Sequence, residues 1–161
     1  MQILVYGYGN PGRQDDGLGI ALVTQLEKWA ADNQFSGIEF DNNYQLNIED
    51  AEAISTHDLV IFADASEEEI DDFCLSVVDG TGKLAFTTHA ASPAYVLKLC
   101  QELFHKDPLV LLLHIKGYAW DFKEGLSHRA EENLQAAYHY MTDLLNGPDE
   151  AIASLDKLKL C

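Results

Sequence analysis

The chain has 161 residues, with 27 Asp and Glu against 10 Lys and Arg, which gives a formal charge of −17 when every histidine is neutral. Its length suits one domain, and 47% hydrophobic with 23% charged residues is the composition of a folded protein. The negative charge opposes nucleic-acid binding, which depends on Lys and Arg at phosphates. We therefore expect one globular domain with no nucleic-acid partner.

The cysteines and the apolar runs indicate the cellular compartment of the protein. Cys74, Cys100 and Cys161 are widely spaced, odd in number and form no CxxC pair, so we expect reduced cysteines in a cytoplasmic protein. The longest strong apolar run, residues 109–113, is far shorter than the ~20 residues of a membrane helix. The first residues lead straight into an apolar strand and carry no signal-peptide pattern. We expect no membrane partner.

Strand and helix patterns alternate in the first part of the chain. An apolar run at Ile3–Tyr6 ends in a glycine-rich turn, and apolar residues then recur at helical spacing from Leu18 to Trp29. Ile38–Phe40 is a candidate second strand, and residues 47–54 are a candidate short helix. The apolar run Leu59–Phe62 is typical of a strand buried on both faces of a parallel sheet.

The alternation continues to the end of the last predicted helix. Leu84–Thr88 and Leu109–Ile115 are strand candidates, and between them Ser92-Pro93 caps a helix over Ala94–Phe104. Ser127 caps a long final helix whose apolar positions continue to Leu144, before the Gly-Pro pair that stops it.

This alternation predicts a three-layer αβα sandwich around a mostly parallel, twisted sheet of about five strands. Residues 1–147 are expected to form that domain. Residues 148–161 form an amphipathic tail to which the sequence assigns no role.

Polar side chains follow three of the predicted strands, where ligands bind in an open parallel sheet. Asp16 closes the loop after the first strand, Asp64 follows the run Leu59–Phe62, and His89 follows Leu84–Thr88. If these strands are parallel neighbours, two carboxylates and one imidazole meet at one edge. That donor set suits a divalent ion such as Zn²⁺ or Ni²⁺ with a coordination position left open.

Each of these residues also has a purely structural interpretation. Asp16 could stabilise a helix N-terminus, Asp64 could cap a turn, and His89 could be a hydrogen-bonded loop residue. The metal hypothesis depends on their joint placement at three strand ends. Asp15 is adjacent to Asp16, and on a helical turn the two side chains diverge by about 100°, so Asp15 is expected to support the site or to cap the helix.

Other patterns are weaker. The remaining histidines are expected to be structural, with His57 at the opposite edge of the sheet, and the acidic residues between 67 and 72 are expected to be a solvated surface. The glycines of residues 7–12 match the GxGxxG spacing, but Arg13-Gln14 precede the helix and no acidic residue closes a second strand as a dinucleotide site requires. We therefore expect no nucleotide cofactor.

The first loop and helix carry a family resemblance through seven residues at fixed spacing: Gly7, Gly9, Asn10, Asp15, Asp16, Gly17 and Gly19. This pattern resembles the N-terminal signature of the hydrogenase maturation proteases, the endopeptidases that trim the C-terminus of nickel-iron hydrogenase large subunits. Ala63-Asp64-Ala65, Thr88-His89 with Ser92-Pro93, and the segment 117–127 look like further parts of that family. The resemblance spans nearly residues 1–147.

The resemblance implies a function and a site. Asp16, Asp64 and His89 are implied to be both the catalytic and the metal-contacting residues, although some members have Glu where Asp16 stands. The divalent metal is implied to be nickel carried by the hydrogenase large-subunit precursor, which is cleaved only after nickel insertion. A monomer is expected. Members that serve NAD-reducing or similar cytoplasmic hydrogenases are the most similar around Tyr44-Gln45-Leu46.

Two alternatives stay open. Peptidyl-tRNA hydrolases also begin with a strand and a Gly-x-Gly-Asn-Pro-Gly loop, but this chain continues Arg13-Gln14-Asp15-Asp16 in place of their Thr-Arg-His-Asn segment, and its charge is ill-suited to tRNA. A non-catalytic metal-binding assembly chaperone for the same large subunit is the second alternative.

Overall fold

The computed structural model describes residues 1–80 and 91–161. In these residues the sheet consists of five strands: β1 (Ile3–Tyr8), β2 (Ile38–Asn43), β3 (Leu59–Ser66), β4 (Phe73–Val77) and β5 (Leu109–Lys116). Their order is β2-β1-β3-β5-β4, with β4 antiparallel to β5 and the other neighbours parallel. The predicted mostly parallel sheet of about five strands is confirmed.

Helices cover both faces of this sheet. The helices are α1 (Leu18–Asp32), α2 (Asp50–Ser55), α3 (Pro93–Phe104), α4 (His128–Asn146) and α5 (Pro148–Ala153), with 3₁₀ turns at Gln14–Gly17 and Leu155–Lys157. α1 and α4 pack on one face, and α2 and α3 pack on the other, so the three-layer arrangement is confirmed. Among the described residues, no helix combines the length and the apolar composition that a bilayer span requires.

The central strand β3 explains why the sequence shows an unbroken apolar run. Leu59 and Ile61 belong to the core cluster under α1 and α4, whereas Val60 and Phe62 belong to the cluster under α2 and α3. All four side chains are buried. Burying one such side chain contributes roughly 1.5–3 kcal/mol, so alternate residues of one strand hold both layers of helices in place.

Both predicted helix caps are present. The Ser92 side chain accepts a hydrogen bond from the Tyr95 backbone N–H at 3.1 Å, and the Ser127 side chain accepts one from the Ala130 N–H at 3.3 Å. α3 begins at a proline, which loses nothing at the first helical position because that N–H has no partner within the helix. These caps fix where the chain enters α3 and α4.

One strand of the sheet, β4, was not predicted from the sequence. β4 follows the acidic segment and pairs antiparallel with β5, from Phe73 opposite Ile115 to Val77 opposite Leu111. The acidic residues before it, Glu67 to Glu69, are exposed as expected. The predicted strand Leu84–Thr88 lies outside the described residues, as does the first part of the segment that leads to α3.

The prediction of three reduced cysteines is wrong. Cys74 in β4 and Cys161 form a disulfide, and only Cys100 is a free thiol. The bond forms because residues 159–161 lie alongside β4: the Leu75 N–H donates to the Lys159 carbonyl at 2.8 Å, and the Cys161 N–H donates to the Leu75 carbonyl at 2.9 Å. The tail therefore extends the edge of the sheet beyond β4.

Reducing this disulfide should lower the free energy of unfolding. The bond joins residues 87 positions apart, and closing so long a loop restricts the unfolded chain, so we expect a loss of about 2–4 kcal/mol. Urea unfolding with and without dithiothreitol measures the difference. Cys161→Ser is the control, because it should unfold at the same urea concentration in both buffers. Identical midpoints for the unmodified chain in the two buffers would contradict the expectation.

Candidate active site

The loop between β1 and α1 passes very close to the strand ends. Gly9 has a φ of 137°, and a Cβ at this position would lie 2.1 Å from the Asp16 carbonyl oxygen. A Cβ at Gly19 would lie 2.2 Å from the Ala63 carbonyl oxygen in the second half of β3. Only glycine fits either position, because real Cβ atoms do not approach an oxygen so closely. These contacts hold the segment that carries Asp16 against the ends of β1 and β3.

Asp16 lies in the 3₁₀ turn that precedes α1 and is half-buried. Its Oδ2 accepts a hydrogen bond from the Asn10 backbone N–H at 2.8 Å. The Asn10 side chain in turn accepts from the Gly12 N–H at 2.9 Å, which fixes the turn between them. The carboxylate is therefore oriented by the loop and still has oxygen lone pairs that this bond does not use.

Asp64 lies near the end of β3 and is coupled to Asp16. Burial, and to a lesser degree the negative charge of Asp16, raise the pKa of the Asp64 carboxyl to about 7, even though hydrogen bonds from the Ala65 N–H and the Tyr8 hydroxyl lower it. Tyr8 ends β1, and burial together with the charge of Asp64 raises the pKa of its phenol. The two carboxylates are thus close enough to repel each other, and we call Asp16 and Asp64 the carboxylate pair.

Asp15 points away from the carboxylate pair and is fully buried. Its carboxylate accepts hydrogen bonds from the backbone N–H groups of Tyr118 (2.7 Å), Ala119 (2.9 Å) and Ser127 (2.7 Å), and from the Ser127 hydroxyl (2.7 Å). Burial alone would raise the pKa of Asp15, but these hydrogen bonds lower it below its ordinary value. Asp15 therefore anchors the loop between β5 and α4, and the expectation that the two adjacent aspartates diverge is confirmed.

The loop from 117 to 127 is bonded to the Asp16 loop at further points. The Gln14 N–H donates to the Lys123 carbonyl at 2.9 Å, and the Asp121 N–H donates to the Gln14 side-chain oxygen at 3.1 Å. The Arg13 Nε donates to the Trp120 carbonyl at 3.2 Å. Two loops that are more than 100 residues apart in sequence thus form one surface beside the carboxylate pair.

The third predicted site residue, His89, lies outside the described residues. Within residues 1–80 and 91–161, no three His, Cys, Asp or Glu side chains come together as a metal-binding group. The structure therefore brings together two of the three predicted residues, and His89 stays a prediction. Two carboxylates nevertheless offer oxygen ligands that suit a divalent cation, and a bound cation would offset the repulsion between them.

The other histidines described have structural partners or lie away from the pair. His57 is at the opposite edge of the sheet, where its Nδ1 is 2.8 Å from the Ala53 carbonyl oxygen and its Nε2 is 3.1 Å from a carboxylate oxygen of Glu39. His114 in β5 lies 2.8 Å from the Ser76 hydroxyl, and burial lowers the pKa of its imidazole. Their expected structural roles agree with these contacts.

Three residues support the carboxylate pair in ways that the sequence did not predict. Asn10 orients Asp16 through its backbone, so its side chain gives no signal for that bond. Tyr8 contacts Asp64 because β1 and β3 are parallel neighbours, a pairing that places the ends of both strands together. The four hydrogen bonds to the Asp15 carboxylate come from a loop that begins 102 residues later in the chain, so they could not be predicted. The sequence indicated only that the Asp15 and Asp16 side chains diverge.

Replacing Asp64 by Asn should stabilise the protein at alkaline pH. The folded pKa of about 7 exceeds the ordinary 3.8, so between these values the folded state keeps a proton that the unfolded state has lost, and stability falls as pH rises through that window. Above pH 7 we expect Asp64→Asn to gain about 4 kcal/mol over the unmodified chain, and below pH 4 almost nothing. Urea unfolding from pH 4 to 9 measures this, with the exposed Asp71→Asn as control. Parallel stability curves for the two proteins would contradict it.

Comparisons with known proteins bear on the fold. No protein-family model and no curated protein matches the chain. Among solved structures, the NiFe hydrogenase maturation protease HycI from Thermococcus kodakarensis KOD1 matches with a TM-score of 0.72 and 19% identity, over 91% of this chain and 93% of that one. The hydrogenase maturating endopeptidase HybD from E. coli matches with the same TM-score and coverage at 21% identity. An endopeptidase from Escherichia coli matches over 99% of this chain and 96% of its own, with a TM-score of 0.68 and 19% identity. The chain therefore has the fold of the hydrogenase maturation proteases, as the sequence resemblance implied.

Proposed function

We propose that this chain is an endopeptidase that removes the C-terminal extension of a nickel-iron hydrogenase large-subunit precursor after nickel insertion. The observation that carries the proposal is the carboxylate pair at the ends of β1 and β3, in a fold shared along nine-tenths of the chain with proteins named as hydrogenase maturation proteases. The glycine pattern that places Asp16 there is the same pattern that resembles this family in sequence.

The donor chemistry fits a cation that arrives with the substrate. Without a cation, burial of Asp64 and its repulsion by Asp16 favour a proton on the Asp64 carboxyl near neutral pH. A nickel ion carried by the precursor would relieve that repulsion and let both carboxylates be ionised. We propose Asp16, Asp64 and His89 as the residues that contact it, with no nucleotide involved.

This chemistry would make cleavage conditional on nickel. A precursor that lacks the ion presents nothing to attract two carboxylates, so its C-terminal peptide would bind less well at the site. Binding of the precursor and its cleavage would then both depend on the positive charge of the nickel ion.

Of the two alternatives, the chaperone differs from the peptidase only in lacking the cleavage step, so a cleavage assay separates them. The peptidyl-tRNA hydrolase interpretation loses support, because the structural matches cited above are endopeptidases. The predicted cytoplasmic location rested in part on reduced cysteines, and the Cys74–Cys161 bond removes that part of its support, so the location stays a prediction. The monomeric state stays a prediction.

Removing either carboxylate should abolish processing. We expect Asp16→Ala and Asp64→Ala to leave a nickel-loaded precursor at full length, because one carboxylate cannot hold the cation as the pair does. Mass spectrometry of the precursor after incubation measures the loss of the C-terminal peptide. Asp71→Ala, an exposed acidic position far along the loop after β3, is the matched control and should process normally.

The nickel-free precursor completes this experiment. It should stay at full length with the unmodified protein, whereas equal cleavage of nickel-free and nickel-loaded precursor would contradict the dependence on nickel. Cleavage of neither, under conditions where the two proteins bind each other, would support the chaperone instead.

Replacing His89 should weaken metal binding. We expect His89→Ala to lower the affinity for Ni²⁺ about tenfold or more, because the imidazole would supply one ligand of the metal. The affinity of the unmodified chain should fall as the pH drops, since a protonated imidazole has no lone pair for a metal and protonation of Asp64 removes a carboxylate. Calorimetric titration measures both. His139→Ala, on the exposed side of α4, is the control. An affinity equal to that of the control would remove His89 from the proposed site.

A further inference from the structure

One large apolar side chain is exposed to solvent on the loop that is bonded to the Asp16 segment. Phe122 lies at the tip of the loop between β5 and α4 and is 87% exposed, the most exposed of the large hydrophobic residues described. Its neighbours Asp121 and Lys123 are bonded on both sides, because the Asp121 N–H donates to Gln14 and the Lys123 carbonyl accepts from Gln14. The ring is therefore presented to solvent by a backbone that is held in place.

The residue that holds this turn adopts an uncommon backbone conformation. Gln14 has a φ of 46°, in the left-handed region that a non-glycine residue rarely adopts. In that conformation its N–H reaches the Lys123 carbonyl and its side chain reaches the Asp121 N–H. The surrounding structure thus maintains a strained residue that fixes the position of Phe122.

The same residue connects the turn to the carboxylate pair. Gln14 and Asp16 lie in one 3₁₀ turn, two residues apart, and Asp15 between them is bonded to both ends of the 118–127 segment. The turn that carries Phe122 and the turn that carries Asp16 are therefore joined by hydrogen bonds through Gln14 and Asp15. Phe122 lies between two residues that are bonded to Gln14, so its ring belongs to the same loop surface as the segment that carries Asp16.

We propose that Phe122 is a substrate-docking residue, whose ring packs against an apolar side chain of the precursor polypeptide near the bond to be cleaved. This inference rests on the proposed function and specifies how the same site selects its substrate. The chain carries a net charge of −17, and a carboxylate pair offers a polypeptide little apolar contact. An exposed aromatic residue on a fixed backbone supplies such contact at a small entropic cost, as anchor residues of interfaces do.

The test compares cleavage of nickel-loaded precursor by the unmodified protein, Phe122→Ala, Phe122→Trp and Leu103→Ala. We expect Phe122→Ala to raise KM about tenfold, a larger factor than any fall in kcat, and Phe122→Trp to restore KM to within about threefold. Leu103 is the control because it is 64% exposed and lies near the end of α3, where the chain leads into the start of β5 at the opposite edge of the sheet. Leu103→Ala should match the unmodified protein.

Binding of the precursor to Asp64→Ala, with and without Phe122→Ala, separates docking from cleavage. If the unmodified protein does not cleave but Phe122→Ala still weakens binding about tenfold, the peptidase proposal fails and the docking proposal stands. An unchanged KM with an intact far-UV spectrum overturns the docking proposal, as does a precursor that never binds. It is also overturned if Phe122→Ala changes only self-association in sedimentation, since the ring would then contact a second copy of this chain.

Discussion

The arrangement around the site depends on the buried carboxylate of Asp15. A charge taken out of water is tolerated only when the protein replaces the lost solvation, and here three backbone N–H groups and one hydroxyl do so. All four donors belong to the segment between β5 and α4, including the residue that caps α4. A single side chain thus fixes the loop after β1, the loop after β5 and the start of the longest helix relative to one another.

The pKa values of the Asp15 and Asp64 carboxyl groups are shifted in opposite directions, although both groups lie close to the same loop. Asp15 is fully buried and Asp64 is half-buried, yet hydrogen bonds lower the pKa of Asp15, whereas burial and the charge of Asp16 raise the pKa of Asp64. The difference lies in the number of donors that the protein supplies to each. The Asp15 carboxylate stabilises the fold. Ionising Asp64 is unfavourable in the protein alone, and a bound cation would offset that cost.

The sequence predicted what depends on local pattern and missed what depends on distant chain paths. The apolar run of β3 and the caps at Ser92 and Ser127 were visible because each depends on adjacent residues. β4 was missed because five residues that follow an acidic loop lack a clear period. The Cys74–Cys161 pairing could not be read from spacing, since it requires the tail to run beside β4. Likewise, the sequence placed Asp16 and Asp64 at strand ends but gave no sign that the turn carrying Phe122 would be bonded to Gln14 in the Asp16 loop.

The path of the tail along β4 also alters the covalent topology of the molecule. Because the disulfide joins residues 74 and 161, everything between them, including α3, β5 and α4, lies within one closed ring of covalent bonds. A single backbone cut anywhere inside that ring opens it without separating the pieces. Such a nicked protein would keep the mobility of a single species on a gel without reductant and divide into two fragments when a thiol is added.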